Sequence, residues 1–232
     1  LYSTYMYLVL VRHGETEFNK QGRKQGDEVD PPLNNMGIKQ SIETGKFLNK
    51  IFKFDLIYSS PYIRATHTAK LIKKEINYKK KIFIEDKLKE SSKGIFSGKT
   101  TDEVKMIINS NPILKKIEKN MKKYNHLERL MHVYDYKTVV HITNQEDWLS
   151  IGIRASEILN KIIDENVGKN ILITSHGSFI SNAIRNLFKI REFNNKTVGN
   201  GNCFITVIKI HTDKTKELIM SNNNMHLKHL YK

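Results

Sequence analysis

Residues 5–20 read YMYLVLVRHGETEFNK. The run Tyr5–Val11 has the length and apolar character of a buried strand. It stops at Arg12, His13 and Gly14: a fixed cation, a titratable imidazole and a residue without a Cβ. A corner with only a structural purpose would be served by almost any turn residues, so this strand end is the place to look for chemistry.

Working outward, strands alternate with helices. Asn34 is an N-cap candidate for a helix carrying Ile38, Ile42 and Leu48 at helical spacing. Phe54–Tyr58 reads as a strand, and Ser60–Pro61 as a cap with proline at the first helical position. Ala65, Ala69, Ile72 and Ile76 continue that helix along one face. Lys81–Glu85 reads as a third strand. Thr100 and Glu103 have capping-box spacing, and Pro112 interrupts the helix they open. Residues 109–142 are polar and lysine-rich and are expected to form an inserted helical lid. Thr143 and Glu146 suggest a second capping box, ahead of an amphipathic helix marked by Trp148, Ile151, Ala155, Ile158 and Ile162. Asn170–Ser175 is a continuous apolar strand followed by a helix from Ser178 to Phe188. Cys203–Ile210 and Glu217–Met220 close the series as strands. This alternation predicts one α/β domain over residues 1–232, a three-layer α/β/α sandwich around a mostly parallel sheet. In such sheets ligands sit beyond the carboxyl ends of the strands.

The totals narrow the function classes. A chain of 232 residues buries roughly 70% of its unfolded surface and needs no staples. The single cysteine, Cys203, excludes an intrachain disulfide and a multi-cysteine zinc site, and it reads as an inert buried thiol. No apolar run approaches the ~20 residues of a membrane span, and a cytoplasmic location is expected, although residue 1 is leucine and a trimmed leader is left open. The net charge of +15 comes from scattered lysine pairs and triplets. That pattern predicts a solvated basic surface that attracts anionic substrates, with no nucleic-acid stripe of interleaved aromatics. The sequence leaves the oligomeric state open, a homodimer included.

Three strand ends carry the chemistry. The first holds Arg12-His13-Gly14. The second leads into SSPYIRATHTA, with Arg64 in the first helical turn. The last is TSHGS, with His176-Gly177 at the corner. Arginine forks match phosphate oxygens, and helix N-termini offer unpaired N–H groups to an anion. A histidine among guanidiniums stays neutral and keeps a lone pair, so it can attack phosphorus. The missing piece is an acid for the leaving alcohol. Glu90, in DKLKESSKGIFSGKT, is the carboxyl best placed to give a proton and later activate water. Glu15 and Glu17 read as first-turn carboxylates, Glu146 as a cap, His67 and Trp148 as packing residues. His126, His132 and His141 share no metal-ligand spacing, and His226 and His229 lie in a tail without evident chemistry.

RHGETEFN at 12–19, PLNNMGIKQ at 32–40, SSPYIRATHTA at 59–69, the LKE…G…SG segment at 88–98 and ITSHGSFI at 173–180 together resemble the histidine phosphatase superfamily, in its phosphoglycerate-mutase-like branch. The resemblance implies that His13 accepts the phosphoryl group while Arg12, Arg64 and His176 grip its oxygens. It also implies that Asn19 and the backbone around Gln25, Gly26 and Gly177 complete the pocket, with Glu90 as proton donor. It implies no metal and no cofactor, while the long lysine-rich insertion favours a small phosphorylated anion as substrate. Mutases of this type follow the acid with Arg, His and Tyr and carry an arginine pair in their insertion. Here Ser91, Ser92 and Lys93 follow, and the insertion has lysine pairs and a lone Arg129. The expectation is a phosphatase. The alternatives are a phosphoglycerate mutase using 2,3-bisphosphoglycerate, a phosphoprotein phosphatase and, outside enzymes, a phosphatase-like scaffold or a basic nucleic-acid-binding module.

Overall fold

β1 (Tyr5–Arg12) lies inside a six-stranded sheet because both of its faces are apolar: Met6, Leu8 and Leu10 point to one side, Val9 and Val11 to the other. The structure is a computed structural model that describes residues 5–121, 133–190 and 201–231. In chain order, β1 is followed by the single turn α1 (Glu17–Lys20), α2 (Asn35–Ile51), β2 (Leu56–Ser59), α3 (Ile63–Glu75) and β3 (Phe83–Ile84). Then come α4 (Thr101–Ser110), α5 (Pro112–Met121), α6 (Val133–Thr143), α7 (Trp148–Asp164), β4 (Ile171–Ser175), α8 (Gly177–Leu187), β5 (Ile205–His211) and β6 (Lys216–Asn223). Short 3-10 turns occupy Asp86–Leu88, Gly94–Phe96 and Met225–Tyr231.

The strand order is β3-β2-β4-β1-β5-β6: β3, β2, β4 and β1 are parallel, β5 runs antiparallel to β1, and β6 antiparallel to β5. The parallel strands need crossover helices, and these cover both faces. On one face α7 and α8 bring Ile151, Leu159, Phe179 and Ile180 against Leu8, Leu10 and Ile173. On the other, α2 and α3 bring Leu48, Ala69 and Ile72 against Val9, Ile57 and Leu172. Each fully buried aliphatic side chain contributes roughly 1.5–3 kcal/mol relative to exposure, so the two-sided core is what holds the strand ends in place.

Several local expectations are corrected. Helix α2 is capped by Asn34, whose Oδ1 accepts from Gly37 N at 2.8 Å, but its buried face is Gly37, Gln40, Ser41, Thr44, Gly45 and Leu48. Ile38 and Ile42 are only half-buried, because α2 meets its neighbours through small residues: a Cβ on Gly45 would stand 2.7 Å from Glu75 Cβ. Helix α3 begins at Ile63, two residues beyond Pro61, and Ser60 does not cap it. The capping acceptor is the carboxylate of Asp30, from a distant loop, which takes Ile63 N–H at 2.6 Å. Asp147, not Thr143, caps α7. Glu146 instead pairs with Arg154 at 2.8 Å. Trp148 is half-buried under the Arg185 guanidinium, 5.0 Å from its ring centre, and stands outside the core. The box of Thr100 and Glu103 and the break at Pro112 stand as expected. The expected lid region is helical in α5 and α6, and residues 122–132, with Lys122–Lys123, His126, Arg129 and His132, lie outside the described residues. Among the described residues no helix is long and apolar enough to cross a membrane.

Candidate active site

The parallel strands all end on one edge of the sheet, and there the sequence places Arg12-His13, Ser59-Ser60 and Ser175-His176. Arg12 and Ser175 are register partners across β1 and β4. The two histidines that follow them therefore stand together, ring centroids 5.3 Å apart. Both imidazoles are buried.

His13 is held in one tautomer. Its Nδ1 lies 2.7 Å from the Gly14 carbonyl oxygen. A carbonyl only accepts, so Nδ1 carries the proton and Nε2 keeps its lone pair. Burial, then the charges of Arg12 and Arg64, push the His13 pKa well below the ordinary imidazole value, against the smaller opposing effect of the Gly14 bond. Burial and the same arginines, with His13 and Lys93, do the same to His176. Both rings are therefore neutral near pH 7.

Gly14 is needed for a reason other than room for a ligand. A Cβ there would stand 2.4 Å from the Gly37 carbonyl oxygen on α2. Its N–H donates to Thr68 Oγ1 on α3 at 2.9 Å. The corner is thus clamped between α2 and α3.

Arg64 is completely buried. Its Nη1 donates to Val29 O at 2.8 Å and to Asp30 Oδ1 at 3.0 Å, and its Nη2 to Gly26 O at 3.1 Å. A guanidinium has five N–H donors, so the one on Nε and one on Nη2 remain. Among the described residues the buried Arg64 Nε and His176 Nδ1 have no hydrogen-bond partner. Leaving a buried donor or acceptor unpaired is costly, so these two atoms are the ones in the site that still lack a partner. Arg12 bonds the Gly201 carbonyl through Nη1 at 3.1 Å and remains partly accessible.

Glu90 reaches the same edge from the loop after β3 and is buried. Its carboxylate sits over the N-terminus of α8, accepting from Ser178 N at 3.1 Å and Phe179 N at 3.2 Å, and from its neighbour Ser91 N at 2.8 Å. A cavity of about 410 Å³ is lined by Glu90 together with Asp27, Ser92, Glu146 and Arg154 among others.

The remaining expected residues stand nearby with other engagements. Asn19 Oδ1 completes the capping box of Thr16 on α1 and accepts from Asn202 Nδ2 at 2.9 Å. Gln25 Oε1 accepts from Thr16 Oγ1 at 2.9 Å. Gly26 presents its carbonyl to Arg64 and is packed so closely that a Cβ would stand 2.7 Å from Lys93 N. Gly177 opens α8 directly behind Arg12, whose Nε would be 3.4 Å from an added Cβ.

The structure adds residues that the sequence had not marked. Ser60 Oγ is hydrogen-bonded to His176 Nε2 at 2.8 Å. Tyr62 sets its ring edge-on against His176, with centroids 5.4 Å apart, and lies under the Arg64 guanidinium at 4.7 Å. Burial and the charge of Asp27 push the Tyr62 phenol up to about 12. Asp30 pairs with Arg64 from 34 residues away, and Asn202 Nδ2 also reaches the His13 carbonyl at 3.2 Å. No short-range spacing announces either contact.

Comparison with known proteins gives a consistent picture. The family described as "Histidine phosphatase superfamily (branch 1)" matches residues 8–223. The chain is 37% identical over 102 residues to the fructose-2,6-bisphosphatase TIGAR of Xenopus laevis, a match covering 43% of this chain and little more than a third (37%) of that relative's length. It is 31% identical over 203 residues to the 2,3-bisphosphoglycerate-dependent phosphoglycerate mutase of Methanococcus vannielii, covering 80% of this chain and 82% of that one. The solved structure of phosphoserine phosphatase from Entamoeba histolytica in complex with 3-phosphoglyceric acid superposes with a TM-score of 0.70 at 27% identity, covering 96% of this chain and 99% of the other. With the family match running from β1 to β6, the chain belongs to the histidine phosphatase superfamily, branch 1.

Proposed function

We propose that this chain hydrolyses phosphate monoesters in two steps through a phosphohistidine on His13. The observation that carries this reading is the unprotonated Nε2 of His13, fixed by the Gly14 carbonyl, with the His176 ring 5.3 Å away and the buried Arg64 Nε and His176 Nδ1 unpartnered. In the first step Nε2 attacks phosphorus and a P–N bond forms as the ester P–O bond breaks. Glu90 gives its proton to the departing oxygen, and the leaving alcohol occupies the cavity beside Glu90. In the second step Glu90 takes a proton from water, whose oxygen attacks phosphorus. The P–N bond breaks, orthophosphate leaves, and His13 and Glu90 return to their starting states. Arg12, Arg64 and His176 hold the phosphoryl oxygens throughout, with the Asn19 amide nitrogen and the N–H of Gly177 at the rim. Donors fixed in advance need no reorganisation as charge develops.

Hydrolysis is favoured over transfer by Ser91, Ser92 and Lys93, which stand where mutases of this family carry further substrate clamps. A lysine is a point charge and does not replace a bidentate fork. The mutase is the second reading, supported by the match over four-fifths of a phosphoglycerate mutase. The test pairs p-nitrophenyl phosphate with 3-phosphoglycerate plus 2,3-bisphosphoglycerate primer. Hydrolysis is expected to dominate, and fast isomerisation with feeble hydrolysis reverses the preference.

A further inference from the structure

We propose that Lys93 is a positioning residue that holds the Glu90 carboxyl in place through the hydroxyls of Ser91 and Ser178, a role that rests on Glu90 being the proton donor.

The geometry is a closed bracket. Lys93 Nζ donates to Ser91 Oγ and, at 3.0 Å, to Ser178 Oγ. Those two serines flank the carboxylate: Ser91 N–H donates to Oε1 at 2.8 Å and Ser178 N–H donates to Oε2 at 3.1 Å. Ser91 Oγ adds a long contact to Oε1 at 3.5 Å. One ammonium thereby ties the loop that carries Glu90 to the first turn of α8, and both ends of the carboxylate depend on that tie. The backbone of Lys93 is anchored from the other side, where its N–H donates to Glu28 Oε2 at 3.3 Å and Gly26 packs against it. With backbone and ammonium both fixed, the stem of Lys93 spans the gap as a strut. Two of its three N–H donors are spent on the serines, which suits a holding role better than a grip on substrate.

The consequence depends on the leaving group. An alkyl alkoxide must receive a proton as it departs, so its loss demands accurate placement of Glu90. A nitrophenolate leaves without one. Misplacement by about 1 Å costs on the order of 100-fold in such steps.

The test measures kcat and KM for glycerol phosphate and for p-nitrophenyl phosphate in the unaltered protein and in Lys93→Met, Lys93→Arg, Ser178→Ala and Glu90→Gln. Lys93→Met is expected to lower kcat/KM on glycerol phosphate by about tenfold or more while kcat/KM on p-nitrophenyl phosphate stays within about twofold, because kcat/KM ends at loss of the leaving group and excludes the water step that both esters share. Lys93→Arg restores most of the loss, and Ser178→Ala gives a smaller loss with the same selectivity, which keeps the test open should Lys93→Met fold poorly. Equal losses on both esters with a raised KM would make Lys93 a phosphate-binding cation and overturn the proposal, as would no change on either. If Glu90→Gln is selective for the alkyl ester and Lys93→Met is not, only the role of Lys93 falls. If Glu90→Gln itself shows no selectivity, the proton-donor assignment falls and takes this proposal with it.

Discussion

His13 and His176 face each other at 5.3 Å between ring centroids because each is the residue immediately after a paired position, Arg12 with Ser175, on adjacent parallel strands. The sheet register therefore sets the spacing of the site. Shifting β4 by one residue against β1 would turn His176 towards the opposite layer. What holds the register is the apolar filling of both faces, far from any reacting atom.

Replacing His13 with Ala should reduce ester hydrolysis by at least about 1,000-fold, since the proposed route loses the nitrogen that takes the phosphoryl group. Near-normal turnover, or a phosphorylated intermediate trapped by acid-labile radiolabel in His13→Ala, would eliminate the two-step route.

Asp30 is expected to matter as much as the residues that touch substrate. It both caps α3 and neutralises the buried Arg64. Asp30→Ala should cost about 2 kcal/mol of stability, a value lowered because the carboxylate is partly exposed. It should also slow hydrolysis more than tenfold as Arg64 loses its orientation (about 1.4 kcal/mol per factor of ten). Asp30→Asn keeps the cap and loses the pair. Urea denaturation and initial rates on both variants separate the two contributions, and unchanged rates in Asp30→Ala would show that Arg64 needs no such support.

The pH dependence of stability has a definite sign. His226 bonds Thr44 Oγ1 at 2.9 Å and stacks on Phe47 at 5.0 Å. Burial first, then His229, push its pKa down to about 4, against Glu43. Its folded value lies below its unfolded one, so the unfolded chain binds the extra proton between them. The contribution is complete above about pH 6.5 and is lost as pH falls towards 4. His13 and His176, also depressed, act in the same direction. The urea midpoint should drop from pH 7 to pH 4.5, and His226→Asn should drop less. Equal drops in the two proteins would remove His226 from the account.

Gly14→Ala should fold poorly. The added methyl meets a backbone carbonyl oxygen at 2.4 Å, which cannot swing aside as a side chain would. An overpacking cost of about 3 kcal/mol is expected, visible as a fall in melting temperature. Gly22→Ala, which meets nothing within 4 Å but sits at a φ of +66°, serves as the comparison for backbone strain alone. Similar melting temperatures for the two variants would show that the 13–14 corner yields.

How much was legible varied with the range of the interaction. Helices with strong local signals, such as α4 behind Thr100 and α2 behind Asn34, stood where spacing placed them. The start of α3 did not, because its cap is Asp30, 33 residues before Ile63 and invisible to any local pattern. The loss of that local cap has a use: Ser60 bonds His176 instead. The tail around His226, where the sequence shows no evident chemistry, packs as a 3-10 turn against α2.

Local periodicity and side-chain chemistry were enough to set the alternation of elements, the two-faced burial of the strands and the residue types gathered at their ends. The tertiary structure alone decided which nitrogen of His13 keeps its lone pair, which donors of Arg64 remain for a ligand, and that Lys93 reaches the flanks of Glu90. Those outcomes turn on hydrogen bonds between segments tens of residues apart, and such bonds exist only once the sheet has brought the strand ends together.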